Sequence, residues 1–242
     1  MRKYVDLHVR PHIESTNDLE DTVKIAAYLG FHALGIVIPQ NLHKEITNVK
    51  KICLSYGIEF ISRLDITSTD KSSILRNLEK FRTRFEIVGV IYVPGLMQKV
   101  PNDRRIDVIS LSSTIPPRAF SLKEAKAVAE SSSLEINMSD ILRLAGLERA
   151  EYLSQLSTAI YTASRAKMKI IVSSGAENKY FMRSPKDLAF FATLLNLDPK
   201  QAIKAVSEIP LEIVKENRLR LSPNYIGEGV RLVGCRRCQF VL

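Results

Sequence analysis

The run VDLHVRPHIEST sets Asp6, His8, Arg10 and His12 close together near the start of the chain. Imidazoles and carboxylates gathered at a strand end are the material of a divalent-metal hydrolytic site. Such a site needs about three or four converging protein ligands. An H-x-H pair would require a second histidine where Arg10 stands. The chain nominates His8, His12 and Asp65, but His32 and His43 fall near helix termini and no later strand end supplies a histidine. The expectation is no metal site and no catalytic residue in this chain. Arginine in a ligand position converts a cation site into an anion site. The strand-end serines lack a G-x-S-x-G elbow and a neighbouring base.

A second candidate lies in SSGAENKYFMRSPKDL, which follows the apolar strand 169–172. Ser184 suits an N-cap, Pro185 the first helical position and Asp187 the third, and Lys179 and Arg183 lie in the loop before them. Strand end, polar loop and helix start together make an anion-receptive mouth. An ordinary strand-to-helix connection has the same signature. The run KFRTRFE, residues 80–86, alternates basic and aromatic residues. It could stack on and neutralise RNA, or its phenylalanines could be core and its charges a solvated face. Cys235 and Cys238 stand in C-x-x-C spacing, half a zinc site, with Cys53 remote. A tail whose cysteines have no structural part is the simpler expectation.

The elements that must position these groups alternate between strand and helix. Apolar strands are expected at 4–9, 33–38, 59–66, 86–93, 107–111, 134–138 and 169–172. Amphipathic helices are expected at 18–29, 43–56, 70–84, 122–132 and 148–168, and three more close the chain at 184–197, 198–207 and 211–219. Strands apolar on both faces, separated by amphipathic helices, imply a parallel sheet covered by helices. The repeat count favours an α/β TIM-like (β/α) barrel with about seven parallel strands. No glycine fingerprint or phosphate-loop lysine follows the first strand, which argues against a dinucleotide or P-loop fold. Function in a barrel sits at the C-terminal strand ends. Here those ends are polar and partly basic, and poor in histidine and carboxylate.

The net charge of +9 is spread along the 242 residues and is not held in a detachable arm. A basic structured surface points to a polyanion, with nucleic acid first. No apolar run approaches the ~18 residues of a membrane span, and a cytoplasmic protein without membrane contact is expected. One barrel domain over 1–222 and a tail over 223–242 is the expected division.

Several motifs together resemble the ribonuclease P protein component 3 family. They are I-V-S-S-G-A (171–176), R-S-P-K-D-L (183–188), L-L-N-L-D-P, A-V-S-E-I-P (205–210), V-D-L-H at the first strand, S-R-L-D-I (62–66) and D-V-I-S-L (107–111). The resemblance spans residues 1 to about 222 and is most specific in the final third. The Cys235–Cys238 tail is not part of it. The resemblance implies a barrel related to the metal-dependent phosphoesterase barrels. It also implies a subunit of archaeal type in the ribonucleoprotein endonuclease that removes the 5′ leader from precursor tRNA. Chemistry would then belong to the RNA, with magnesium held there and no cofactor on this chain. Implied partners are ribonuclease P RNA, precursor tRNA, protein component 2 in a heterotetramer, and other ribonuclease P proteins. On this basis Arg10, Arg63, Lys179 and Arg183 are expected to form one RNA-binding surface at the C-terminal mouth. For Arg63, pairing with Asp65 or another buried acid is the structural alternative. The rival function is a drifted metal-dependent phosphoesterase acting on a phosphorylated small molecule.

Overall fold

The computed structural model of the chain describes residues 2–114, 120–227 and 230–231. Seven strands, β1 (Val5–Val9), β2 (Ala33–Val37), β3 (Glu59–Ile66), β4 (Ile87–Ile91), β5 (Val108–Ser110), β6 (Ser133–Asn137) and β7 (Ile170–Ser173), pair in sequence order. Every pairing is parallel. Parallel neighbours need crossovers, and helices α1 (Thr16–Leu29), α2 (Ile46–Ser55), α3 (Lys71–Phe81), α4 (Leu122–Val128) and α6 (Gly146–Arg165) supply most of them. Their starts are set locally. The side chains of Ser15, Asp70 and Ser121 each accept a hydrogen bond from a backbone N–H of the first turn. Gly30 ends α1 at φ 89°, a left-handed conformation that only glycine adopts freely.

Strand residues alternate between two apolar environments. Leu34, Ile36, Phe60, Leu64, Val88, Val90, Leu134 and Ile136 pack outward against the helices. Val5, Leu7, Ala33, Ile61, Ile87, Val108 and Ile171 form a separate inner layer. The expected three closing helices are present as α7 (Pro185–Leu194), α8 (Pro199–Ala205) and α9 (Glu208–Arg220). The last of them plugs the barrel. Ile213 and Val214 of α9 join the inner layer at the N-terminal ends of the strands. Polar groups clamp this plug. Asn217 donates to the Glu86 carbonyl at 2.8 Å, Arg82 bonds both Asn217 and Asp107, and Arg218 pairs with Glu59 and Glu86.

The barrel is nearly closed. Between β1 and β7 the ladder shrinks to a single bridge, Val9 to Ala176, where the Arg10 N–H donates to the Ala176 carbonyl at 2.7 Å. Beside it the Asp6 carboxylate accepts from the Ser174 N–H at 3.1 Å and fills the seam. At the other end the Val5 N–H donates to the Val206 carbonyl.

Several elements differ from expectation. The helix expected over 43–56 begins as a 3₁₀ turn, Gln40–Glu45, before α2. Met138, expected to end a strand, opens a short helix, α5 (Met138–Arg143). Within the expected tail, β8 (Tyr225–Gly227) and β9 (Val230–Arg231) form an antiparallel hairpin. Cys235 and Cys238 lie outside the described residues. No helix among the described residues is long and apolar enough to cross a membrane.

Because α9 closes the floor, Ile213→Ala should cost about 2–4 kcal/mol by transfer loss and cavity formation. Denaturant unfolding should show a lower midpoint with little change in slope. An unaltered midpoint would mean that α9 is not an integral part of the barrel.

Candidate nucleic-acid interface

The middle of the barrel is occupied by charge. Arg63, from the centre of β3, is fully buried and is the largest fully buried side chain among the described residues. Its guanidinium donates to both oxygens of Glu135 on β6 at 2.7 Å, to Asp65 at 2.8 Å and to the Leu7 carbonyl at 2.8 Å. That carbonyl is available because β1 has a register irregularity between Asp6 and Val9. Two glycines make room. A Cβ on Gly89 would stand 2.6 Å from Asp65 Oδ1 and 2.9 Å from Arg63 Nη2, and one on Gly35 would stand 2.3 Å from the Leu7 oxygen. Both approaches are closer than real Cβ contacts, so each position requires glycine.

His8 extends the network toward the mouth. Its Nε2 lies 2.9 Å from Asp65 Oδ2, and its Nδ1 lies 2.8 Å from Asn137 Oδ1 and 3.2 Å from Glu135 Oε2. Asn137 donates in turn to Ser110 Oγ, and Ser173 Oγ donates to Glu135. Burial and Arg63 both push the imidazole toward neutrality. Asp65 and Glu135 outweigh them and raise its pKa. Burial works against ionised Asp65 and Glu135 too, but Arg63 and His8 hold both carboxyls well below the ordinary range. Two buried carboxylates thus face a buried guanidinium and an imidazole whose pKa is raised. A divalent ion placed among them would sit against the Arg63 guanidinium, so the donor set does not fit a metal. Asp6 differs: desolvation pushes its carboxyl up to about 6.

The sequence reading placed Arg63 on the RNA surface, and the structure corrects this. Its guanidinium is sealed inside the barrel with no exposed side-chain area, so phosphate cannot reach it. The alternative of pairing with Asp65 holds, and Glu135 is the partner that reasoning missed. The signal was present: FISRLDI and SLEIN are apolar strands with one or more charges at inward positions. The arginine that stands among the acidic groups is therefore Arg63 and not Arg10. His12 is exposed and lies apart from the cluster, its backbone N–H bonded to Asp18.

The other three cations each have local partners. Arg10 lies at the mouth, 3.3 Å from Glu177, and the same carboxylate meets Arg143 of α5 at 2.6 Å. Arg143 also covers the Phe181 ring at 5.0 Å. It is a mouth residue that the sequence reading did not select, because the α5 turn was read as the end of a strand. Lys179 pairs with Asp21 of α1 at 2.6 Å. Beyond it the chain descends along α1, so that Ser184, Pro185 and Lys186 share a groove with Leu29, Gly30 and Tyr4, near the N-terminal end of β1. The capping box of Ser184 and Asp187 is present, but it starts α7 away from the mouth. Arg183 turns back and donates to the Tyr180 and Met182 carbonyls.

Arg63→Met would leave Glu135 and Asp65 buried without their main counter-charge. A loss of about 3–5 kcal/mol is expected in equilibrium unfolding, partly recovered by adding Glu135→Gln. Single-variant stability equal to wild type would contradict the network. For Asp6, the folded pKa of about 6 exceeds the ordinary 3.8. Protonated Asp6 therefore contributes stability that is full below about pH 4 and lost as pH rises through 6. Asp6→Asn retains the acceptor oxygen without the charge. It should match wild type near pH 4 and exceed it, on the order of 1–3 kcal/mol, at pH 7.5. A destabilised variant at pH 7.5 would show that the ionised carboxylate is needed in the seam.

Comparison with known proteins agrees with this geometry. The family model described as RNase P subunit p30 matches residues 3–222. The ribonuclease P protein component 3 of Methanosarcina mazei is 23% identical over 234 residues, covering 96% of each chain. That of Methanothermobacter thermautotrophicus is 24% identical over 247 residues, with the same coverage. Among solved structures, a chain in the cryo-EM structure of archaeal ribonuclease P with mature tRNA superposes with a TM-score of 0.77 at 19% identity, covering 96% of this chain and 99% of that one. An amidohydrolase superposes at 0.58 and 12% identity, covering 89% of this chain and 74% of that one, a likeness of fold alone. Sequence span, strand order and the matched structure converge: the chain belongs to the RNase P subunit p30 family.

Proposed function

We propose that this chain works as a protein subunit of ribonuclease P, supporting the catalytic RNA in removing the 5′ leader from precursor tRNA. The family match over residues 3–222 carries this reading. The barrel interior supports the division of labour. A general base or a metal-bound water needs a group with unused hydrogen-bonding and charge capacity. His8, Asp65 and Glu135 are engaged with one another and with Arg63. Chemistry is accordingly assigned to the RNA and to magnesium held by it, with no cofactor on this chain. Arg10, Lys179 and Arg183 stay phosphate-contact candidates within this reading, although Glu177 and Asp21 offset the first two.

A protein partner belongs to the same reading, with protein component 2 first. Phe190 and Leu194 stand one turn apart on α7 and are 73% and 62% exposed. Exposed large apolar residues one turn apart on a helix suit a docking face. Mixing with component 2 from the same source should shift both proteins to a larger assembly in a size measurement. Unchanged monomers would count against this partner.

Reconstituted cleavage of precursor tRNA tests the function itself. Omitting this chain from a complex of ribonuclease P RNA and its other proteins should lower cleavage at least about tenfold, and adding it back should restore the rate. Metal-dependent cleavage of RNA or a simple phosphoester by the isolated chain, abolished by His8→Ala, would instead establish the drifted phosphoesterase.

A further inference from the structure

Four arginines that are remote in sequence meet at the floor of the barrel, at the end opposite the mouth. Arg82 and Thr83 follow α3, Arg104 and Arg105 precede β5, and Arg220 ends α9. With Leu221 and Tyr225 they line one groove of about 250 Å³. No carboxylate is among those seven lining residues. Arg82, Arg105 and Arg220 are held in place. Arg82 is fixed by Asp107, Asn217 and the Phe85 carbonyl. Arg105 makes two bonds to Asp103, yet 41% of its side chain remains exposed. Arg220 donates to the Arg104 carbonyl and approaches Glu216 only at 4.0 Å. A second groove shares Arg104 and Arg220 and continues to Lys169 and a run of serines, Ser131 to Ser133, with Asp107, Glu130 and Glu216 also in its lining. Just beyond Thr83, Arg84 stands over the Phe81 ring at 5.9 Å, as Lys80 does at 5.0 Å.

We propose that this groove, and not the mouth, is the main RNA-backbone site of the chain. It would hold two or more consecutive phosphates against Arg104, Arg105 and Arg220. Guanidinium groups match phosphate oxygens bidentately, and phosphate contacts supply most of the affinity of a sequence-independent RNA surface. Tyr225 at the edge is placed to stack an unpaired base, which favours a single-stranded or loop segment over a duplex. Arginine clustering favours this face. Four arginines line one groove, with Asp107 and Asp103 pairing Arg82 and Arg105, whereas at the mouth Arg10 and Arg143 share one carboxylate and Lys179 has its own. The KFRTRFE run contributes Arg82 and Thr83 to this surface. Its phenylalanines are core, as Phe81 and Phe85 are buried, while Thr83 and Arg84 are exposed. The inference rests on the ribonuclease P reading and assigns its RNA contact.

The test uses the full chain, a ribonuclease P RNA transcript from the same source and a twelve-nucleotide oligouridine. The triple variant Arg104→Gln, Arg105→Gln, Arg220→Gln should bind both RNAs at least about tenfold more weakly. The slope of log affinity against log salt should fall by about two. Arg82 is left in place because it clamps α9, and thermal unfolding of the triple variant checks that the fold survives. Thr83→Glu removes no contact and should also weaken binding, while Thr83→Lys should strengthen it. A comparison variant with Arg10→Ala, Lys179→Ala and Arg183→Ala should lose less than threefold. Wild-type affinity in the groove variants, with the loss confined to the mouth variant, would overturn this site and leave the subunit reading standing. A wild-type chain that neither binds the transcript nor supports cleavage would overturn both.

Discussion

The rest of the barrel is arranged around the Arg63 guanidinium. A buried arginine is tolerable only if its nitrogens are hydrogen-bonded and its charge is balanced. Glu135 takes two of its bonds across the interior, Asp65 takes a third from the same strand, and the Leu7 carbonyl takes a fourth. Each match constrains a strand. The irregularity in β1 frees the Leu7 carbonyl, the bare Cα of Gly35 admits it, and the bare Cα of Gly89 leaves room for the guanidinium. Five of the seven strands are thus coupled through one side chain, with His8 bringing in Asn137 and Ser110.

This arrangement separates the two ends of the barrel. Above the network the mouth is narrowed by Arg10, Glu177 and Arg143, where two guanidiniums share one carboxylate. Below it, an apolar layer is sealed by Ile213 and Val214 of α9. Sealing the floor brings the C-terminal end of α9 beside the segments entering β4 and β5, which is where arginines collect. Barrel enzymes use the mouth. In this barrel the interior charges are already paired with one another.

Much of the fold was legible in the sequence, because apolar runs bounded by glycine, proline and capping residues report strands and helices directly. All seven strands and the three closing helices were anticipated. The α5 turn was not, since Met138 to Arg143 is too short to show a helical period. The site was less legible, for a physical reason. Whether an arginine at a strand end meets solvent or an acid depends on which residues face it across the barrel, and pairing at that range leaves no local pattern. Arg63 and Asp65 could be read as neighbours, but Glu135 lies 72 positions from Arg63. The convergence of Arg82, Arg104, Arg105 and Arg220 is likewise a product of α9 crossing the floor. The position of α7 was misjudged because its cap signals mark a helix start without saying where the preceding loop leads.

The central claim is that the barrel interior is structural and RNA is met on the outer surfaces. Ultraviolet crosslinking of the chain to ribonuclease P RNA, followed by identification of the crosslinked peptides, addresses this most directly. Crosslinks should fall on exposed segments outside the barrel, with Tyr225 and residues 80–84 and 104–105 prominent. Crosslinks concentrated at His8, Asp65, Asn137 and Ser173 would place RNA inside the mouth and contradict the account.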